Sequence, residues 1–500
     1  MNFISVEFAL GFLLLFPLYW VLQPWPRTQN LLLTVVGLVL LWLYASGVAV
    51  AVLFFYTAAI RVCVHFSMIS LSNRTRSFWL WLGVVGSIVH LGVWKYSELY
   101  RPAIAHMLTD HGVSTPVFDS SWLLPLGISY YTFQGISYLI GVHRREILGP
   151  KSLRLIDLLH HFGLFLTISS GPILRAINAK HLTDYSDKPC NALEQILSGK
   201  PRSIEAPMLA ISLIIIGIGK KWWLASWLGQ VAVDPVFSNP SLYQTVDVLA
   251  AIYGYTLQLF LDFSGYSDIV VGLGLLLGLR LPINFRTPLL AHNLREFWNR
   301  WHISLSTWIR DHIYLPLGGS RRGFALTQVN LAVAMVLSGI WHGYGLNFLF
   351  WGLAHGLILI TLNVGDRLIA FFFPSPERTR DHLASLGLLG RAAGVFATVQ
   401  FVCMAFVLFR TRTLAEARAI FQSLVENFHD IPLQAHSLPL LLSMTGLWLL
   451  YPKLARGPEG FANCLQRLPS LLRPVPVVLA LLLIVLMAPP GIPGFIYANF

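Results

Sequence analysis

Residues 248–279 read VLAAIYGYTLQLFLDFSGYSDIVVGLGLLLGL, and Asp262 and Asp268 are the only charges among these 32 residues. A helix that crosses a bilayer needs roughly 20 mostly apolar residues, so this run is long enough to span. A carboxylate inside such a run costs about 2.5–3.5 kcal/mol to insert and normally faces a cavity or a partner. Two readings of Asp262, Ser264, Ser267 and Asp268 follow. They form the polar wall of a buried tunnel, or a structural network in which Asp262 or Asp268 pairs with arginines of the basic segment that comes next.

Outward from this run, the rest of the chain has the same character. It is 55% hydrophobic and 12% charged, against about 25% charged in a soluble domain. Further apolar runs cover Phe3–Leu22, Gln29–Ile60, Phe78–Trp94, Trp122–Val142, Leu155–Ile173 and Met208–Leu228. Others cover Leu326–Ile340, Leu346–Leu362, Val395–Phe409, Leu438–Tyr451 and Val475–Met487. Gln29–Ile60 reads as one tilted span or as two short ones hinged near Ser46–Gly47. Phe3–Leu22 is too long for the core of a cleaved signal and lacks a basic leader, so it is expected to be the first span. The expected fold is all-α and polytopic, a single membrane-embedded domain over 1–500. It has 11–13 membrane segments, with re-entrant or interfacial helices around a central tunnel. No internal repeat of the inverted-transporter kind is visible.

The net charge of +12 has no nucleic-acid motif beside it, so no nucleic-acid partner is expected. The charge is better read as cytoplasmic loops held by Lys and Arg next to a lipid bilayer. Arg144, Arg145, Lys151 and Arg154 form one such loop. The largest cluster carries Arg280, Arg286, Arg295, Arg300, Arg310, Arg321 and Arg322 against Glu296 and Asp311, a net of +5. Its many Trp, Leu and Ile residues suggest helices lying at the interface or dipping back into the membrane. Cys63, Cys190, Cys403 and Cys464 are far apart, with no CxxC and no metal-ligand spacing, so neither a disulfide framework nor a metal site is expected. Cys190, in a polar loop, is a candidate for lipid attachment or simply an idle thiol.

Two motifs carry candidate chemistry. Residues 295–302 read REFWNRWH and continue through Ile303-Ser-Leu-Ser306 to Arg310 and Gly319. Residues 338–345 read SGIWHGYG and place His342 at the end of an apolar run, flanked by glycines. Glycine allows a close approach of backbone or substrate. An uncharged imidazole is a competent general base for an attacking hydroxyl. His90, His160, His161 and His355 also fall in or beside apolar runs, so spacing alone leaves His342 one candidate among several.

The order of the motifs Asp262-Phe-Ser-Gly-Tyr-Ser-Asp268, Glu296-Phe-Trp-Asn-Arg-Trp-His302-Ile-Ser-Leu-Ser306, Tyr314-Leu-Pro-Leu-Gly-Gly319 and Trp341-His-Gly343 resembles the membrane-bound O-acyltransferase family, in particular its alginate O-acetyltransferase branch. Leu124-Pro-Leu-Gly-Ile-Ser-Tyr-Tyr-Thr-Phe133 and Phe495-Ile-Tyr497 extend the match, which is densest over 253–356. The resemblance implies that His342 is the membrane-embedded catalytic histidine and His302 the second histidine of the site, or else a ring that orients the re-entrant segment. Trp298, Asn299 and Arg300 would line the donor side. Arg300 or Arg310 would meet acyl-CoA phosphates or form ordinary salt bridges, and Trp341 or Trp298 would donate an indole N–H to an oxyanion. The implied reaction takes an acyl group, acetyl above all, from acetyl-CoA on the cytoplasmic side, with no bound cofactor. The implied acceptor is an exopolysaccharide, alginate- or cellulose-like, or a periplasmic SGNH-hydrolase-like relay protein at a bacterial inner membrane. A D-alanyl transferase for teichoic acids is the near alternative. A proton-coupled transporter using Asp262, Asp268 and His342 is the distant one.

Overall fold

A computed structural model describes residues 3–111, 125–146, 153–176, 181–372, 387–428, 432–491 and 494. Leu124 and the first residues of the Trp122–Val142 run, Lys151, and the motif Phe495–Tyr497 lie outside the described residues. Among the described residues the ordered structure is helical, with two isolated β-bridges. Among the described residues nine helices are long and apolar enough to cross a membrane, or ten if one bent pair counts as a single span. Val6–Val21 is a shorter apolar helix, so the described residues hold fewer clear spans than the 11–13 segments expected. The chain divides into two compact units, Met1–Pro207 with Leu273–Pro282, and Met208–Gly272 with Ile283–Phe500.

The first unit contains α1 Val6–Val21, α2 Pro26–Tyr44, α3 Gly47–Ile69, α4 Asn73–Lys95, α5 Ser97–Asp110, α6 Ile128–His143 and α7 Leu155–Gly163. The Gln29–Ile60 run is two helices rather than one, because Ser46 turns out of helical backbone and caps α3 by accepting the Ala49 N–H at 3.2 Å. Outward faces are apolar: Leu14 is 76% exposed and Phe55 70%. A water-facing surface does not carry so large an apolar area, whereas lipid chains accept it. Polar groups turn inward instead. Tyr56 Oη on α3 donates to Thr132 O on α6 at 3.3 Å and lies 3.2 Å from Ser87 Oγ on α4. The Leu155–Ile173 run does not span. It breaks after Gly163 and is almost wholly buried from Asp157 onward, so its hydrophobicity reflects a protein core.

Arg280, the first arginine of the basic segment, is held in this unit by the Glu205 carboxylate through two hydrogen bonds, 2.8 and 2.9 Å. Asp184 lies 3.9 Å from the same guanidinium. Cys190 sits beside this cluster, fully buried. Burial, aided by the Asp184 charge, pushes its thiol up to about 12. The lipid-attachment reading of Cys190 is therefore corrected: the sulfur is inside the fold and protonated at neutral pH.

The second unit contains α8 Pro207–Ser238, α9 Thr245–Leu276, α10 Leu294–Arg300, α11 Ile303–Ile309, α12 Phe324–His342, α13 Leu346–Phe372, α14 Gly387–Arg410, α15 Leu414–Glu426, α16 Ser437–Leu454, α17 Gly457–Arg467 and α18 Pro474–Met487. Asp262 and Asp268 are paired, as one reading of the sequence expected, and lysines of α8 take part. Lys221 pairs with Asp262, and Lys220 Nζ donates to Asp268 Oδ2 at 2.6 Å. Geometry accounts for the match. Consecutive residues on a helix point about 100° apart and residues six apart about 120°, so two adjacent lysines on α8 match the two aspartates on α9. The lysines lie where α8 widens into a π-helical turn, Gly219–Ala225, a distortion that recurs at irregular or functional points of helices.

Two measurements check this description. Lys221→Met leaves Asp262 as a buried charge without its ammonium, which costs about 3–5 kcal/mol. The melting temperature in detergent should fall, and Lys221→Met/Asp262→Leu should recover most of the loss. A single variant as stable as the unaltered protein would contradict the buried pair. Cys190 should resist a membrane-permeant maleimide in the folded protein and react once SDS unfolds the chain. Native-state labelling at Cys190 would place the thiol outside the core.

Candidate active site

The site is built on the hairpin of α12 and α13. A methyl group on Gly339 would overlap the carbonyl oxygen of Phe348, and one on Gly352 would lie 2.5 Å from that of Met335. Only hydrogen fits at either position, so the two backbones pack directly, the small-residue mode of membrane helices. Gly339 is one turn before His342, and Gly352 follows Trp351. The close approach therefore sets the height of the imidazole against the indole.

His342 ends α12 and is 4% exposed. Its ring centroid is 4.6 Å from Trp341, 5.3 Å from Trp351 and 4.8 Å from Phe409, each edge-to-face. Phe409 is held in turn by Phe348 and Phe406. Asn347 anchors the turn after His342 by donating to the carbonyls of Leu408 and Thr411 at 3.0 and 2.6 Å. These bonds tie the start of α13 to the end of α14, which carries Phe409. Of the residues expected at the site, Trp341 is thus in contact with His342. Trp298 is one ring further, edge-to-face on Trp351 at 5.8 Å.

His302 is 1% exposed and adopts a left-handed backbone, φ 44°, at the start of α11. A non-glycine residue in that region is uncommon and costs energy that surrounding contacts must offset. Asn284 supplies them: its carbonyl accepts the Ile303 N–H at 3.0 Å and its side chain the Ser304 N–H at 3.2 Å. The His302 ring lies edge-to-face on Phe263 of α9 at 4.8 Å. Burial drives its imidazole down to about 3, so it is uncharged. His302 and His342 are linked through aromatic contacts running Phe263, Phe285, Trp301, Phe406 and Phe409.

The cations expected on the donor side are engaged elsewhere. Arg300 pairs with Glu296 one turn before it on α10 and donates to Thr287 O at 3.3 Å. Arg310 donates to Asp311 at 2.8 Å. Asn299 is exposed and has no place in the ring cluster. One cavity of about 200 Å³ lies at the start of α9, lined in part by Asp247, Tyr243 and His436. Another, about 20 Å³, lies beside His160 and His161 in the first unit. Neither touches His342.

The sequence reading passed over Trp351 and Phe409, and named His355 only as one of several histidines in or beside apolar runs. Trp351 and His355 are spaced i, i+4 on α13 and therefore share a face. His355 is fully buried, with ring centroids 4.6 Å from Trp351, 5.2 Å from Trp298 and 5.0 Å from Phe401. The spacing was visible, but nothing in it distinguished this face from ordinary core.

A model of the membrane-bound O-acyltransferase family matches residues 25–385. The chain is 38% identical over 283 residues to a probable alginate O-acetylase of Pseudomonas syringae pv. tomato, covering 56% of this chain and 51% of that one. It is 35% identical over 362 residues to a probable alginate O-acetylase of Azotobacter vinelandii, 71% of this chain and 67% of that one. It is 29% identical over 377 residues to a peptidoglycan O-acetyltransferase of Helicobacter pylori, 71% of this chain and 66% of that one. The chain spans about half the length of the Pseudomonas relatives it matches. With nine apolar helices of spanning length among the described residues and a family model over most of its sequence, this chain belongs to the membrane-bound O-acyltransferase family.

Proposed function

We propose that this protein is an enzyme that transfers an acyl group, acetyl in the first instance, from a cytoplasmic acyl-CoA to a hydroxyl on the far side of a bacterial inner membrane. The observation that carries the reading is His342: a buried imidazole at the end of a spanning helix, caged by Trp341, Trp351 and Phe409. The names of the alginate O-acetylase relatives support an acetyl group and a polysaccharide. The acceptor is then an exopolysaccharide hydroxyl, alginate- or cellulose-like, or the serine of an SGNH-hydrolase-like relay protein.

Direction follows from charge and length. The basic segment that ends at Arg322 belongs on the cytoplasmic side, and α12 starts at Phe324. Nineteen residues at 1.5 Å each make a helix about 28 Å long, so His342 lies toward the opposite face. An acceptor from that side has the shorter path to the imidazole. The donor thioester reaches it from below, past the segment that carries His302. Because His342 is closed in by rings, substrate must displace part of the cage on entry.

In the reaction, the His342 imidazole takes the proton of the acceptor hydroxyl as its oxygen bonds to the acyl carbon. The tetrahedral intermediate collapses, the carbon–sulfur bond breaks, and the leaving thiolate takes the proton from the imidazolium. One ester and one free thiol result. His302 stands on the donor side of the same aromatic cluster, rigid and uncharged, suited to hold the thioester arm by a hydrogen bond. Arg300 and Arg310 would reach acyl-CoA phosphates only by exchanging their carboxylate partners.

Purified protein in detergent, given acetyl-CoA and a hydroxyl acceptor, should release free thiol. Loss of the general base in His342→Ala should lower that rate about 10²–10⁴-fold with unchanged expression and gel-filtration profile. Comparable thiol release by His342→Ala would refute the assignment. Activity only with an aminoacylated carrier protein would favour the D-alanyl transferase. Proton-coupled uptake without thiol release would favour a transporter.

A further inference from the structure

Three rings behind His342, one of them in contact with it, have polar atoms with nothing to bind. His355, Trp298 and Trp351 pack on one another in a triangle, with centroids 4.6, 5.2 and 5.8 Å apart. Among the described residues, no hydrogen bond reaches either ring nitrogen of His355, the indole N–H of Trp298 or that of Trp351. His355 is 0% exposed and Trp351 1%. Buried polar groups are nearly always matched, and leaving several unmatched in one place is costly. A phenylalanine at 355 would fill the same space without that cost, as Phe401 does on the ring's other side. The Ser338 hydroxyl, one turn before His342 on α12 and 2% exposed, is likewise unmatched. Unmatched buried polar groups thus gather around the proposed base, on α10, α12 and α13.

The chemistry of this set is specific. A neutral imidazole offers one N–H and one acceptor nitrogen, and each indole offers one N–H and no acceptor. Donors therefore outnumber acceptors in a place from which water is largely excluded. Such a set suits an oxygen on which negative charge develops. The acyl carbonyl becomes that oxygen when the acceptor attacks, and Trp351 touches both His342 and His355.

We propose that His355, with the indole N–H groups of Trp298 and Trp351, binds the acyl carbonyl oxygen of the donor and stabilises it as the tetrahedral intermediate forms. His342 handles the proton, and His355 and the indoles handle the charge on oxygen. The inference rests on the acyl-transfer reading and names a part of its site. Trp351 then has two roles. Its ring face supports His342, and its N–H belongs to the oxygen site.

Kinetics of thiol release from acetyl-CoA, at saturating acceptor, test the proposal. His355→Phe keeps the ring and removes the donor, and should lower kcat about 10²-fold with KM within about threefold. Its melting temperature in detergent should equal or exceed that of the unaltered protein, since an unmatched buried polar group is gone. His355→Gln keeps an N–H and should recover at least tenfold of the loss. Stability up and kcat down is a combination that a packing role does not produce. A folded His355→Phe with unaltered kcat would overturn the proposal. So would His355→Gln as inactive as His355→Phe with both variants destabilised, because that result assigns the ring to packing alone. If the unaltered protein releases no thiol, the acyl-transfer reading itself fails, a result distinct from either.

Discussion

The arrangement around His342 depends on the direct backbone contact between α12 and α13. Gly339 and Gly352 have no side chain to hold the helices apart, and each faces a carbonyl oxygen of the other helix. In lipid no hydrophobic force draws helices together, so association rests on van der Waals fit. A larger residue at either position would shift one helix against the other and separate His342 from Trp351. The aromatic cluster behind them, with Phe297, Trp301, Phe406 and Phe409, is the core of the second unit. It makes the imidazole's surroundings stiff.

The polar groups within the membrane region divide into two kinds. Lys220, Lys221, Asp262 and Asp268 are matched with one another and secure α8 against α9. Their cost of burial is offset by pairing, and their role is structural. His355, Trp298 and Trp351 offer nitrogens that the protein does not match. Buried polar atoms left without a partner point to a ligand rather than to the fold. The contrast adds to what burial alone shows, since Lys221 and Asp262 are nearly as deep as His355 and Trp351.

Much of this was legible in the chain. Apolar runs marked most of the spanning helices, and the Ser46–Gly47 hinge was one of the two readings of its run. Trp341-His-Gly343 and the REFWNRWH motif pointed at two histidines, and both are buried in the second unit. The lysines that pair with Asp262 and Asp268 were not foreseen. Lys220 and Lys221 sit inside an apolar run of their own, so the arginine-rich segment, much closer in sequence, looked like the natural counter-charge. The Leu155–Ile173 run was taken for a span because hydrophobicity does not distinguish lipid from protein interior. His355 went unremarked as a site residue because an i, i+4 pair of large rings is also what any helix core displays.

By itself the sequence determined the medium and the architecture. A chain with 12% charged residues and long apolar runs can satisfy its backbone in lipid only as helices. It also determined the candidate base, through a short motif whose glycines leave room around the imidazole. Tertiary structure alone decided which polar residues meet. A side chain's partner depends on the facing helix, and hydrophobic periodicity carries no information about which helix faces which. The lysine–aspartate pairs, the ring cage of His342 and the unmatched nitrogens beside it all arise from that choice.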